Sequence, residues 1–297
     1  MSKKPAKLQF TDPTNVAELK RIFGALKKPL TPARLKQYGQ NFLIDSQARD
    51  AIITAAELTP RDVVLEIGPG SGVLTQKLVE RAKKVLAIDI DPYLLEVTRL
   101  ATQKNGMDAA NLELQLQDVR KINLPKLFPD GNYVVVSNVP YYLTGYLFEL
   151  FTSTTVPPKK LLLTIQKEVA ERITAGPKDQ TTLSIVLALF GTTQIVREVP
   201  RDSFWPAPAV DSAVVVIERH TKPIVPADQQ QQLLRVVKAG FSARRKKLSN
   251  ALAGGLRIEL EQARGLLAAA GLDQNSRAQE LSLTDWAKLS QKVAEER

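Results

Sequence analysis

Asn138, Pro140, Tyr141 and Tyr142 follow a run of valines in "VVVSNVPYYLT", residues Val134 to Thr144, and their types suit joint chemistry. β-Branched residues fit a buried strand, so the amide and the aromatics stand where that strand ends. An amine on an aromatic ring is a weak nucleophile, because its lone pair is delocalised into the ring. Two acceptors in a fixed geometry, the Asn138 side-chain oxygen and the Val139 carbonyl, can hold both amine hydrogens and favour a more tetrahedral nitrogen. Pro140 stiffens the turn without needing a backbone donor. Tyr141 offers a face on which an extruded purine can stack. The plainer alternative is an Asx turn ending a strand, with the tyrosines in the core. Tyr142 is expected to be no more than packing.

A second constellation lies upstream. "VVLEIGPGSGVLT" places Glu66, Gly68, Gly70 and Gly72 between a strand and a helix expected over residues 73–81. Glycines there let a ligand approach the backbone closely. The spacing is G-x-G-x-G with Pro69 inside, not the dinucleotide fingerprint G-x-G-x-x-G, which favours a nucleoside with a small zwitterionic tail over a pyrophosphate. Asp89, in "AIDID", stands about twenty residues on, where an acid typically holds ribose hydroxyls. Asp118, in "LQLQDV", could accept a hydrogen bond from an adenine amino group. Taken singly, each acid is as readily a helix cap or a solvated charge. Together with the glycines they point to a ligand with an adenosine and a cationic tail, and S-adenosylmethionine fits. Catalysis would then consist mostly of holding the acceptor nitrogen in line with the methyl and the sulfur.

The chain has no cysteine and one histidine, His220. That excludes disulfides, thiolate nucleophiles and multi-histidine metal sites, so no metal is expected. It also disfavours methylation at pyrimidine carbon 5, which needs a cysteine nucleophile, whereas direct transfer to an amine needs none.

Several elements must position these residues. "DVVLEIG", "KVLAIDID", "LELQLQD", "NYVVVSN" and "KKLLLTIQ" read as strands alternating with helices. Such alternation predicts an α/β fold, a mostly parallel sheet with helices on both faces. "TQIVREV" and "SAVVVIERH" add two strands, a hairpin across "PRDSFWPAPAVD", while "KEVAERI" and "TTLSIVLALF" read as helices. After "TKPIVP" the pattern is helical only. The expected organisation is a domain over residues 34–221, a smaller all-α domain over 222–297, and a basic, proline-containing extension over 1–33 that is only partly ordered.

The formal net charge is +10, in 297 residues. It concentrates in residues 1–40 and 219–247. "FSARRKKLSNAL" places Arg244, Arg245, Lys246 and Lys247 within about one turn of an expected helix, where nucleic-acid phosphates are the target and a solvated face is the alternative. The longest apolar stretch, "LSIVLALF", is too short to span a bilayer. A soluble, cytoplasmic protein with a polyanion partner and no membrane association is the expectation.

Eight ordered motifs carry a resemblance: "YGQNFLID", "VLEIGPGSGVLT", "AIDID", "QDV", "NVPYYLT", "QKEVAERI", "FWPAPAVDSAVV" and "FSARRKKLSNAL". Over roughly residues 34 to 290 the chain resembles the bacterial small-subunit rRNA adenine dimethyltransferases. The resemblance implies a Rossmann-like class I methyltransferase sheet with S-adenosyl-L-methionine as methyl donor. The implied substrate is a pair of neighbouring adenosines in a hairpin loop near the 3′ end of small-subunit rRNA, met by a monomer in an immature subunit late in assembly. Gln40, Asn41 and Leu43 would line the cofactor pocket with Glu66. Gly68 and Gly70 would contact the cofactor's amino-acid end, Asp89 the ribose and Asp118 the adenine. Asn138, Pro140 and Tyr141 belong to the family's N-L-P-Y motif, and Phe204 in "FWPAP" would form a second aromatic wall for the target base. Val139 replaces the usual leucine, Asp89 the usual glutamate, and "PKDQTTLS", with Gln180 and Thr181, lacks a common tyrosine-glycine pair. Two other readings stand beside this one: a resistance-type methyltransferase of large-subunit rRNA, and an RNA-binding assembly factor in which methylation is secondary.

Overall fold

The computed structural model describes residues 10–26, 31, 35, 39–103, 107–176, 179–243 and 245–296. These fall into two compact units. One runs to Ala170 and resumes at Gln194–Ile217; the other joins Glu171–Thr193 to the chain from Glu218 onward.

The first unit is built on a seven-stranded sheet with helices on both sides. Its strands are β2 (Val63–Ile67), β3 (Lys84–Asp89), β4 (Leu112–Leu116), β5 (Val134–Asn138), β6 (Lys160–Gln166), β7 (Gly191–Val199) and β9 (Ser212–Arg219), in the order β4-β3-β2-β5-β6-β9-β7. The five strands from β4 to β6 pair in parallel. Two short strands, β1 (Phe42–Leu43) and β8 (Phe204–Trp205), form a separate antiparallel pair, Phe42 opposite Trp205 and Leu43 opposite Phe204. Central parallel strands are covered on both faces and read as continuous apolar runs. Val64, Leu65, Val135, Val136 and Leu161–Leu163 of β2, β5 and β6 are accordingly all fully buried. Edge strand β4 alternates Leu and polar residues, and none of its residues is buried.

Helix α4 (Pro92–Thr102) follows β3, with Pro92 in its first turn and the Asp91 carboxylate accepting from the Tyr93 amide at 2.9 Å. A proline there costs no hydrogen bond, because the first amides of a helix lack intrahelical partners. Helix α2 (Ser46–Ala56) is capped in the same way by Asp45. After the glycine loop, by contrast, the regular helix α3 covers only Thr75–Leu78, not residues 73–81. Tight i→i−3 bonds, Lys77 to Leu74 and Arg81 to Leu78, interleave with i→i−4 bonds and break up the regular ladder.

Within the basic extension, expected to be only partly ordered, lies helix α1 (Val16–Ala25). Its Leu19, Ile22 and Phe23 are buried with Phe10, Phe42 and α4 residues Leu94, Val97 and Ala101. The Phe23 ring lies 5.0 Å from Phe42 and 5.9 Å from Trp205, centroid to centroid. An apolar stripe at i, i+3, i+4 was present beneath the lysines, and its burial outweighs the composition.

The second unit is helical. It holds α8 (Thr182–Phe190), α9 (Ala227–Phe241), α10 (Leu248–Leu256), α11 (Leu260–Ala269) and α12 (Leu283–Glu295). Its core gathers Ile185 and Leu189 of α8 with Leu233, Val236, Leu252, Leu266, Trp286 and Leu289. Thr181 and Ser184 cap α8 reciprocally, a capping box. The "FSARRKKLSNAL" segment is not one helix. Ser242 turns its hydroxyl back onto the Ala239 carbonyl at 2.7 Å, α9 stops at Phe241, and Lys247 is extended. Arg245, Lys246 and Lys247 are therefore exposed on the connection before α10. Arg244 lies outside the described residues, as does most of the 1–33 segment beyond α1.

Candidate active site

Strand order reverses at β2, which has β3 on one side and β5 on the other. In open α/β sheets the crevice at the carboxyl ends of such strands is where ligands bind. Here the β2–β5 ladder covers only Val64–Val134 and Leu65–Val135. Beyond it the Ile67 amide donates to the Ser137 hydroxyl at 2.7 Å, a side chain taking over from the ladder. At this end of the sheet lies a cavity of about 380 Å³, within the usual range for small-molecule sites.

One wall is the glycine loop. Gly70 has φ +58°, and a Cβ there would meet the Phe42 ring at 3.0 Å. Gly72, at φ +79°, lies so close to α4 that a Cβ would stand 2.8 Å from that of Ala101. Both the left-handed backbone and the close approach require glycine. The loop is pinned by the Gly68 amide on the Ile88 carbonyl at 2.9 Å and the Thr98 hydroxyl on the Gly70 carbonyl at 3.1 Å.

Two carboxylates at this wall are buried. Glu66 is 1% exposed and accepts from the Thr75 hydroxyl at 2.7 Å. Burial pushes its carboxyl up to about 8, against the Thr75 bond and with a further push from Asp89. Asp89, at the end of β3, accepts from the Asp91 amide at 2.9 Å. Burial raises it to about 7, opposed by the Asp91 amide and reinforced by the Asp91 charge. In a low-dielectric site, with no cation among the described residues contributing to either shift, both acids hold their protons more tightly than in water.

Asp118 differs. It caps the short turn after β4, accepting from the Arg120 amide at 2.9 Å, and its carboxylate also receives the Arg120 guanidinium, with Nη2 at 2.8 Å. The guanidinium holds this carboxyl below its usual range. Arg120, two residues on, thus competes with any ligand for this carboxylate.

The opposite wall carries the strand-ending turn. Asn138 donates its Nδ2 to the Asn41 carbonyl at 3.1 Å, which leaves Oδ1 to accept. Asn41 in turn donates to the Gly39 carbonyl at 3.3 Å. Pro140 is extended, φ −55° and ψ 132°, and its carbonyl accepts from Leu143. The Tyr141 hydroxyl lies 2.7 Å from the Ser212 hydroxyl across to β9, and burial raises its pKa. Ser212 and Thr75 hold site residues in place but were not singled out by sequence; a hydroxyl in a valine run and one after a glycine loop were the only signals. Tyr142 is not core packing: it is 66% exposed.

The cavity lining thus brings together Gln40, Asn41, Leu43, Glu66, Gly68, Gly70, Asp89, Asp118, Asn138, Pro140, Tyr141 and Phe204. Phe204 is 3% exposed and lies mostly in the core beside Leu43. The basic run 245–247 belongs to the helical unit. Among the described residues no group of three His, Cys, Asp or Glu could hold a metal ion, and no helix is long and apolar enough to cross a membrane.

The chain is similar to known proteins. "Ribosomal RNA small subunit methyltransferase A" of Alkaliphilus oremlandii (strain OhILAs) is 38% identical over 267 residues, 87% of this chain and 91% of that protein. Its namesake from Alkaliphilus metalliredigens (strain QYMF) is 39% identical over 266 residues, with the same coverage. Among solved structures, a dimethyladenosine transferase from Plasmodium falciparum superposes with a TM-score of 0.71 at 28% identity, covering 82% of this chain and 94% of that one. The 23S rRNA methyltransferase ErmE superposes at 0.69 and 25% identity, covering 86% and 100%. Residues 33–295 match the family described as ribosomal RNA adenine dimethylase, and to that family the chain belongs.

Proposed function

We propose that the chain transfers methyl groups from S-adenosyl-L-methionine to the exocyclic amines of two adjacent adenosines in the 3′-terminal hairpin of small-subunit rRNA. It does so as a cytoplasmic monomer acting on an immature subunit. One observation carries the reading: the Asn138–Tyr141 turn and the wall of Glu66, Asp89 and glycines face the same cavity.

The residues present fit the methyl donor. Gln40 and Ser71 line the cavity, and Gln40 Oε1 and Ser71 Oγ are buried without a hydrogen-bond partner among the described residues, whereas buried polar atoms nearly always have one. A Cβ placed on Gly68 would meet no protein atom within 4 Å, so the loop leaves room there. Glu66, Gly68 and Gly70 would hold the amino-acid end with Gln40, Asp89 the ribose and Asp118 the adenine. When bound, S-adenosyl-L-methionine supplies an electrophilic methyl group on a sulfonium.

The chain's own residues do the rest. Asn138 Oδ1 and the Val139 carbonyl accept from the target amine. The Asn41 carbonyl prevents the Asn138 amide from flipping, since a reversed amide would set oxygen against oxygen. Tyr141, tethered by Ser212, stacks on the extruded base, and the edge of Phe204 bounds it on the other side. Most of the acceleration is orientation. Arg244, Arg245, Lys246 and Lys247 would neutralise RNA phosphates, a salt-dependent contribution.

The relatives named for small-subunit RNA favour that substrate over the large subunit. A methyl-transfer assay on small subunits lacking the modification, with modified nucleotides mapped, tests the reading. Two neighbouring dimethyladenosines near the 3′ end are expected. Methylation confined to naked large-subunit RNA would overturn it, and intact subunit assembly by a Glu66→Ala variant would favour the assembly-factor alternative.

A further inference from the structure

Tyr142 sits on the rim of the cavity beside Tyr141 and is 66% exposed as a residue. A Cβ placed on Gly39 would lie 3.8 Å from the Tyr142 ring. The rim also carries Arg120, whose side chain is 63% exposed. An aromatic face in water with a guanidinium nearby is the usual platform for an unpaired base.

We infer that Tyr142 stacks on the nucleotide adjacent to the one being methylated, holding it at the mouth while its neighbour occupies the cavity. This rests on the proposed function, whose substrate is a pair of adjacent adenosines. When one base is drawn in to Asn138 and Tyr141, the chain connectivity of RNA leaves the next base at the rim. The residue at that rim, Tyr142, is the chain neighbour of Tyr141, and both line the cavity. Arg120 adds positive charge to that rim, although Asp118 shares it. Stacking of this kind is sequence-tolerant, because every base has a π-face, so the same ring serves whichever adenosine is outside.

The test compares Tyr142→Ala, Tyr142→Leu, Tyr142→Phe and Tyr142→Trp in steady-state methylation of small subunits lacking the modification, with S-adenosyl-L-methionine binding measured calorimetrically. Loss of one base stack should raise KM for the subunit on the order of 10- to 100-fold in the Ala variant. The Leu variant, similar in bulk but without a π-face, should resemble Ala. Phe and Trp should restore the wild-type value, and cofactor affinity should stay within about twofold in all four. A Leu variant equal to wild type, an Ala variant within about twofold of it, or a defect confined to cofactor affinity overturns the inference. Wild-type protein that leaves small-subunit adenosines unmodified overturns the underlying reading, and the wild-type reaction shows that separately from any variant.

Discussion

Binding of a cationic ligand in this cavity should release protons. Glu66 and Asp89 are both buried at one wall, at about 8 and about 7. At pH 7 a carboxyl at 8 is roughly nine-tenths protonated and one at 7 roughly half. An ammonium or sulfonium close by favours the ionised forms, so up to roughly 1.4 protons should leave per S-adenosyl-L-methionine bound, falling to roughly 0.1 at pH 9. Calorimetric titration in buffers of different ionisation enthalpy measures that number as a slope. Glu66→Gln, whose amide oxygen can still accept from Thr75, should cut it to roughly 0.5 or less at pH 7. The same groups act on stability in the free protein. Between pH 4.5 and 8 the folded chain binds a proton at Glu66 that the unfolded chain has lost, so stability falls as pH rises through that window. The rise from 4.5 to about 8 corresponds to about 5 kcal/mol for a fully buried group. Glu66→Gln should flatten the decline, visible as a smaller loss of urea midpoint between pH 5 and 8. A binding heat at pH 7 that does not depend on the buffer, from wild-type protein that does bind the cofactor, would refute the reasoning.

Asn138→Ala should keep cofactor affinity within about threefold while lowering kcat by about 100-fold or more, the cost of a misplaced acceptor; near wild-type turnover on small subunits would remove Asn138 from its assigned role. Reversing charge at Arg245 and Lys246 should weaken RNA binding and reduce the slope of log K against log salt by about one to two, with an unchanged circular dichroism spectrum because both residues are exposed. An unchanged slope would place the connection before α10 away from phosphates. Phe23→Ala should destabilise the protein by about 3–5 kcal/mol, read as a lowered calorimetric midpoint, since its ring is 1% exposed and packs on Phe42 and Trp205; a loss below about 1 kcal/mol would mean that α1 is only loosely attached.

The sheet was legible because central strands advertise themselves. Runs such as "VVLEI" and "KLLLTI" have too many consecutive apolar residues for anything but burial on both faces. The glycine loop and the "NVPY" turn were legible because each breaks such a run with residues of special backbone or polar character. What sequence did not disclose were contests between neighbours. Asp118 offers an acceptor at the cavity, and Arg120 also reaches back to it, a competition that no strand or helix period encodes. The basic run looked helical because both flanks are, while one serine hydroxyl returning to Ala239 was enough to end α9. Lysines and prolines made residues 1–33 look loose, and Leu19, Ile22 and Phe23 were too few to outweigh that impression without sight of Phe42. The apolar run around Tyr142 suggests burial, and only the path of the turn shows that it faces water.

Helix α8 belongs to the helical core, although most of that core lies farther along the chain. On the ribosome this becomes a matter of timing. Ile185 emerges about a hundred residues before Trp286, so at about 5–20 residues per second α8 must wait roughly five to twenty seconds for its partners. "TLSIVLALF" is the kind of segment that associates with other nascent chains when it lingers uncovered. The reciprocal cap of Thr181 and Ser184 holds its first turn with bonds that are wholly local, available as soon as the segment is made. A local cap favours the helical state during that interval, which keeps the backbone from offering a strand edge to a neighbour.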